Sequence, residues 1–127
     1  MEGLDRERPQ RRARPRRSPA AEPGLAAALA RQAAALALTK KAEDVLILDL
    51  SGLASVCDYF VICHGDSDVQ VKAIADGILD GLEGEGIRAW HSEGYRGRSW
   101  ILLDYVDVVV HVFHRETRLF YRLEDLW

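Results

Sequence analysis

A chain of 127 residues is long enough for one compact domain with a core and too short for two. Its apolar fraction of 48% suits a globular fold, and no apolar stretch reaches the ~20 residues needed to cross a bilayer. The formal net charge of −3 hides an asymmetry: residues 1–24 hold seven Arg against four acids (+3), and residues 25–127 hold ten Lys or Arg against sixteen acids (−6). An acidic body repels phosphates, so it disfavours nucleic acid as a direct partner and favours a basic protein surface.

Residues 1–24 are rich in Arg, Pro and Glu, lack aromatic residues and cannot bury a core, so a disordered tail is expected there. Its start, MEGLDRERPQRR, has no apolar segment behind it and does not read as a secretory signal. Glu2, Asp5 and Glu7 argue against an organellar transit peptide, which avoids acids, and the expected location is cytoplasmic. The Arg cluster from Arg6 to Arg17 can make a weak electrostatic contact with RNA; the plainer reading is a solvated tail.

Residues 25–127 form the expected domain. Leu25 to Lys41 is a run of strong helix formers, with Leu25, Leu29 and Leu36 on roughly one face and Lys40 and Lys41 in the last turn. EDVLILDLS (43–51) is a continuous apolar run, expected as a strand buried on both faces. DYFVICHG (58–65) is the second strand. Cys57 and Cys63 flank DYFVI, and six extended residues separate them by about 20 Å, too far for a disulfide or a shared metal. Both are expected to be reduced.

Ser67-x-x-Gln70 is a capping box, and Asp68 suits the positive end of the helix that follows. Val71, Ile74, Ala75, Ile78 and Leu82 give that helix one apolar face. Gly77 and Gly81 each cost about 1 kcal/mol inside a helix. They either admit another backbone closely or are tolerated by packing. IRAWH (87–91) is expected as a third strand and EGYRGR (93–98) as a turn. SWILLDY (99–105) and DVVVHVF (107–113) form an antiparallel hairpin turning at Val106. RETRLFYRLEDLW ends in a short helix carrying Leu119, Phe120 and Leu123. The order α-β-β-α-β-β-β-α predicts a single α/β (α+β) domain, with a mixed sheet of about five strands flanked by helices.

The polar residues of HSEGYRGRSWILLDYVDVVVHVFH (91–114) invite three kinds of chemistry. In a strand, His111 points with Asp107, Val109 and Phe113, and His114 leaves on the opposite side, so the pair cannot chelate one ion. His91 belongs to another strand, and the spacing argues against a metal site. Nucleophilic hydrolysis finds no GxSxG elbow and no cysteine at a helix start. Nucleotidyl transfer is the enzymatic alternative: HGDSD (64–68) joins a strand to a helix, and Asp66 and Asp68 can be drawn as a two-carboxylate Mg²⁺ clamp. That segment has one Gly and no cation before Lys72, and capping already accounts for Ser67, Asp68 and Gln70.

What remains is Trp100, Asp104, Tyr105 and Asp107 on the hairpin, with His91 and Glu93 before it. Trp100, Leu102 and Asp104 share one strand face; Ile101, Leu103 and Tyr105 share the other. An aromatic in line with an acid has the composition of a patch that binds a basic protein. Equally, Trp100 can cap the core under a helix.

The segments KKAEDVLILDLSGLASVCDYFVICHGDSDVQVKAIADGI, HSEGYRGRSWILLDYVDVVVHVFH and FYRLEDLW closely resemble the ribosome silencing factor family, also called Iojap. The resemblance covers residues 25–127 and leaves out the Arg-rich tail. It implies a nucleotidyltransferase-like fold without the catalytic carboxylates, no enzymatic activity and no cofactor. It also implies binding to the large ribosomal subunit through ribosomal protein L-fourteen, which blocks subunit joining and represses translation under nutrient limitation. A homodimer is implied for the free protein. Trp100, Asp104, Tyr105, Asp107 and His111 match the family motif. Binding roles carry over to Trp100, Asp104 and Asp107, and less directly to His91, Glu93 and Tyr105; Tyr59 and His111 are also open to a structural reading. The family's DYGDVVVH is DYVDVVVH here, so the turn at Val106 either uses ordinary φ or is strained.

Overall fold

The computed structural model describes residues 13–15 and 24–127. The expectation of disorder for residues 1–12 and 16–23 lies outside the described residues. The elements are α1 (Leu25–Thr39), β1 (Glu43–Asp49), β2 (Tyr59–Gly65), α2 (Asp68–Gly84), β3 (His91–Glu93), β4 (Trp100–Asp104), β5 (Val108–His114) and α3 (Arg115–Tyr121), followed by a 3-10 turn over Leu123–Leu126. The five strands form one mixed sheet in the order β1-β2-β5-β4-β3. β2 and β5 pair in parallel, and the other three described pairings are antiparallel. The α+β architecture expected from the sequence is the one observed.

Helices α1 and α2 cover one face of the sheet. The core there joins Ala30, Ala33, Ala34 and Ala37 of α1 to Val71, Ile74, Ile78 and Leu82 of α2, and to Val61, Ile101, Leu103, Val110 and Val112 of the strands. Alanine at helical spacing lets α1 approach closely, because no long side chain holds it away. The two α2 glycines serve the same seam. A Cβ at Gly81 would meet Leu36 at 2.5 Å, and one at Gly77 would meet the Lys40 chain at 2.8 Å. Side chains of the α1 segment, rather than another backbone, occupy the space.

Several boundaries differ from the sequence expectation. Helix α1 stops at Thr39, and Lys40 caps it without lying in the last turn. Lys41 then takes a φ of 64°, which turns the chain into β1. β1 is an edge strand, exposed at Glu43, Asp44, Ile47 and Asp49, and not the doubly buried strand its apolar run suggested. β3 begins at His91, so residues 87–90 are irregular. The turn expected over 93–98 is present at residues 95–97, but its Tyr95 is fully buried, the hydroxyl donating to Asp76 Oδ1 at 3.0 Å. The α2 cap is real but offset: Gln70 N–H donates to Ser67 Oγ at 3.1 Å, and Gln70 Oε1 accepts from Asp66 N–H at 2.9 Å. Neither cysteine is in a disulfide, both are buried, and burial raises both thiol pKa values, that of Cys63 to about 12.

Candidate partner-binding face

The face of the sheet turned away from α1 and α2 is ordered by strand register. One row runs His91, Asp104, Val109, Phe60, Leu48 across all five strands. The next runs Glu93, Leu102, His111, Ile62, Leu46, and the third contains Trp100, Phe113 and His64. Trp100, Asp104, His91 and Glu93 are therefore brought together. Tyr105 is not: its side chain joins the core on the helix side. Asp107 lies half-buried in the hairpin turn, where its carbonyl accepts the Asp58 N–H at 2.8 Å.

Trp100 sits in an aromatic cluster. Its ring lies 4.8 Å from Phe113 and 5.1 Å from Tyr121 of α3 (centroid distances), and its indole N–H donates to His111 Nδ1 at 3.1 Å. Phe60 packs edge-on to His111 at 4.4 Å and reaches Trp127 at 6.1 Å. Trp100 remains half-buried, so part of the ring is offered to solvent while the rest is locked. Burial depresses the His111 pKa to about 4, although Asp104 pulls it upward. His111 is therefore neutral at pH 7, and since Nδ1 accepts, the proton resides on Nε2. Leu119, Phe120, Leu126 and Trp127 continue the apolar surface beyond this cluster, each at least half exposed.

Beside the aromatic cluster lies an acid with an unforeseen partner. Arg14 reaches Asp104 through two hydrogen bonds, Nε to Oδ2 at 2.7 Å and Nη2 to Oδ1 at 3.0 Å. The same guanidinium donates to the carbonyls of Val56 at 2.8 Å and Val106 at 2.6 Å. Hydrogen bonding to Asp104 raises the Arg14 pKa above its ordinary value, outweighing the desolvation that opposes it. Asp104 Oδ1 also accepts the Val106 N–H at 2.8 Å. Val106 itself has φ 75°, and Asp107 N–H donates to Tyr105 O across it at 2.9 Å. That is a γ-turn of the strained hand with a β-branched residue at its centre. Nothing in the composition singled out Arg14 among the seven arginines of the first 24 residues.

His91 Nε2 lies 3.0 Å from Glu93 Oε1. A second polar group was also missed. Glu43, His64 and Asp66 offer ligand atoms within 4.8 Å of one another. The nearest groups oppose a cation: Arg118 Nη1 lies 2.9 Å from His64 Nδ1, and Arg115 lies 3.6 Å from Asp66. Glu43, His64, Arg115 and Arg118 line a cleft of about 620 Å³ between β1 and α3. Asp66, one half of the Mg²⁺ clamp considered above, is thus turned to an arginine.

The whole folded region matches a known family: the model described as "Ribosomal silencing factor during starvation" aligns with residues 23–127. The chain belongs to the ribosomal silencing factor family. It is 52% identical over 95 residues to the Ribosomal silencing factor RsfS of Bacillus subtilis, spanning 75% of this chain and 80% of that protein. It is 34% identical over 87 residues to the chloroplastic protein Iojap of Zea mays, spanning 68% of this chain and 38% of that longer protein. The crystal structure of a Chromobacterium violaceum protein superposes with a TM-score of 0.77 at 35% identity, covering 80% of this chain and 84% of that one. One from Bacillus halodurans gives 0.73 at 42% identity, covering 80% and 94%. The family's fold and the α+β sheet described above are thus the same arrangement.

Proposed function

We propose that the chain silences ribosomes by binding the large subunit through ribosomal protein L-fourteen and so occupying the surface that the small subunit needs. No bond is made or broken; the block is steric, represses translation under nutrient limitation, and takes place in the cytoplasm without a cofactor. The observation that carries this reading is the half-buried Trp100 set in line with Asp104 on the open sheet face of a ribosomal silencing factor. A rigid aromatic beside acids is the pairing expected of a patch that meets a basic protein. Glu93 and Asp107 extend the acidic side, the buried His91 lies 3.0 Å from Glu93, and residues 25–127 suffice as the binding domain. The exposed apolar run at Leu119, Phe120 and Leu126 supplies surface for a homodimer of the free protein.

Sedimentation with purified large subunits tests the reading. Truncating a central aromatic costs about 2 kcal/mol, roughly thirtyfold in affinity, so Trp100→Ala should lose most of its co-sedimentation. Because Trp100 also packs against Phe113, Glu93→Lys serves as the second variant; its side chain is 58% exposed and its replacement leaves the core intact. If both variants bind large subunits and block subunit joining like wild type, the open face is not the contact.

A further inference from the structure

The acid beside Trp100 sits in a built seat with an occupant. Two carboxylate oxygens of Asp104 and the carbonyls of Val56 and Val106 converge on all three nitrogens of one guanidinium, at 2.6–3.0 Å. The Asp104 side chain is 8% exposed with Arg14 in place. A buried carboxylate keeps its charge cheaply only while a cation covers it. The acceptors suit a planar fork of donors, whereas an ammonium offers its protons from a single point and reaches only some of them.

We infer that this seat is a guanidinium-binding site of the partner face, filled in cis by Arg14, so that the tail competes with an arginine of the basic protein partner. The inference rests on the partner-binding reading above. Asp104 lies in the same strand and on the same face as Trp100, two positions beyond Leu102, so a protein docked on Trp100 covers the seat. Arg14 precedes α1 by eleven residues (25 − 14). A tether of that length holds a ligand at an effective concentration of about millimolar. An incoming arginine must displace it, and the apparent affinity for the partner falls by the fraction of seats left open.

The test uses the full-length chain. Large-subunit affinity is measured for wild type, Arg14→Ala and Arg14→Lys, and the exchange of the Arg14 Nε–H with solvent is read by NMR on the free protein. The expected result is a protected Nε–H and roughly three- to tenfold tighter binding by Arg14→Ala. Arg14→Lys should tighten binding as well, because charge alone does not fill the seat. A Nε–H that exchanges as in free arginine overturns the occupancy. Unchanged or weaker binding by Arg14→Ala overturns the competition, and a lysine variant matching wild type overturns the preference for guanidinium. Should wild type fail to bind large subunits while the Nε–H is protected, the partner reading fails and the seat itself stands.

Discussion

Replacing Val106 by glycine should stabilise the protein, contrary to the general rule for glycine. Val106 holds φ 75° at the centre of the γ-turn closing the β4–β5 hairpin. A β-branched residue held there stores about 1–3 kcal/mol of strain. Glycine releases it and costs about 0.5–1 kcal/mol through the greater freedom of the unfolded chain. The side chain is only half-buried, so little packing is lost. The Val106 N–H to Asp104 and its carbonyl to Arg14 are backbone groups and survive the change. The net gain spans about 0–2.5 kcal/mol and is centred near 1 kcal/mol, a few degrees in Tm for a domain of this size. Urea unfolding followed by tryptophan fluorescence measures it, with Val106→Ala as the control, since alanine keeps a Cβ at positive φ and should gain less. A Val106→Gly protein no more stable than wild type, with an unchanged urea dependence, would refute the strain argument.

Two further substitutions probe other parts of the fold. His111 has a folded pKa of about 4 against an ordinary 6.5, so the unfolded chain takes up a proton that the folded one resists. Its contribution is intact above pH 6.5 and is lost as pH falls toward 4, amounting to about 3 kcal/mol at the low end. Urea midpoints at pH 7.5 and 4.5 should therefore differ less in His111→Gln than in wild type; equal differences would remove His111 as the cause. Gly94 has φ 94°, and a Cβ there would run into the backbone carbonyl of Trp100. That carbonyl belongs to the sheet and cannot move aside, so Gly94→Ala should cost about 2–4 kcal/mol, read as a lowered Tm.

Element types were legible from sequence wherever periodicity was strong. Val71, Ile74, Ile78 and Leu82 declared α2, and SWILLDYVDVVVHVF declared its hairpin, because both patterns follow directly from backbone geometry. The face shared by Trp100 and Asp104 was legible too, since alternation in a strand is strict. The position of β1 was not. EDVLILD reads as doubly buried, yet sheet order is decided by long-range pairing, and parallel β5 took the central place beside β2. Tyr95 is the turn residue that Gly94 and Gly97 suggested, but its burial was not legible, because it depends on the tertiary position of Asp76. Arg14 was illegible for a different reason. It lies among like-charged residues with no periodicity, and its partner Asp104 is 90 positions away.

The parallel pairing at the middle of the sheet sets a timetable for synthesis. Tyr59 of β2 pairs with Val108 of β5, 49 positions later (108 − 59). At roughly 5–20 residues per second, β2 waits about 2–10 s on the nascent chain with one row of amides and carbonyls bare. Any chaperone that shields a growing polypeptide has that interval, and that strand, to guard.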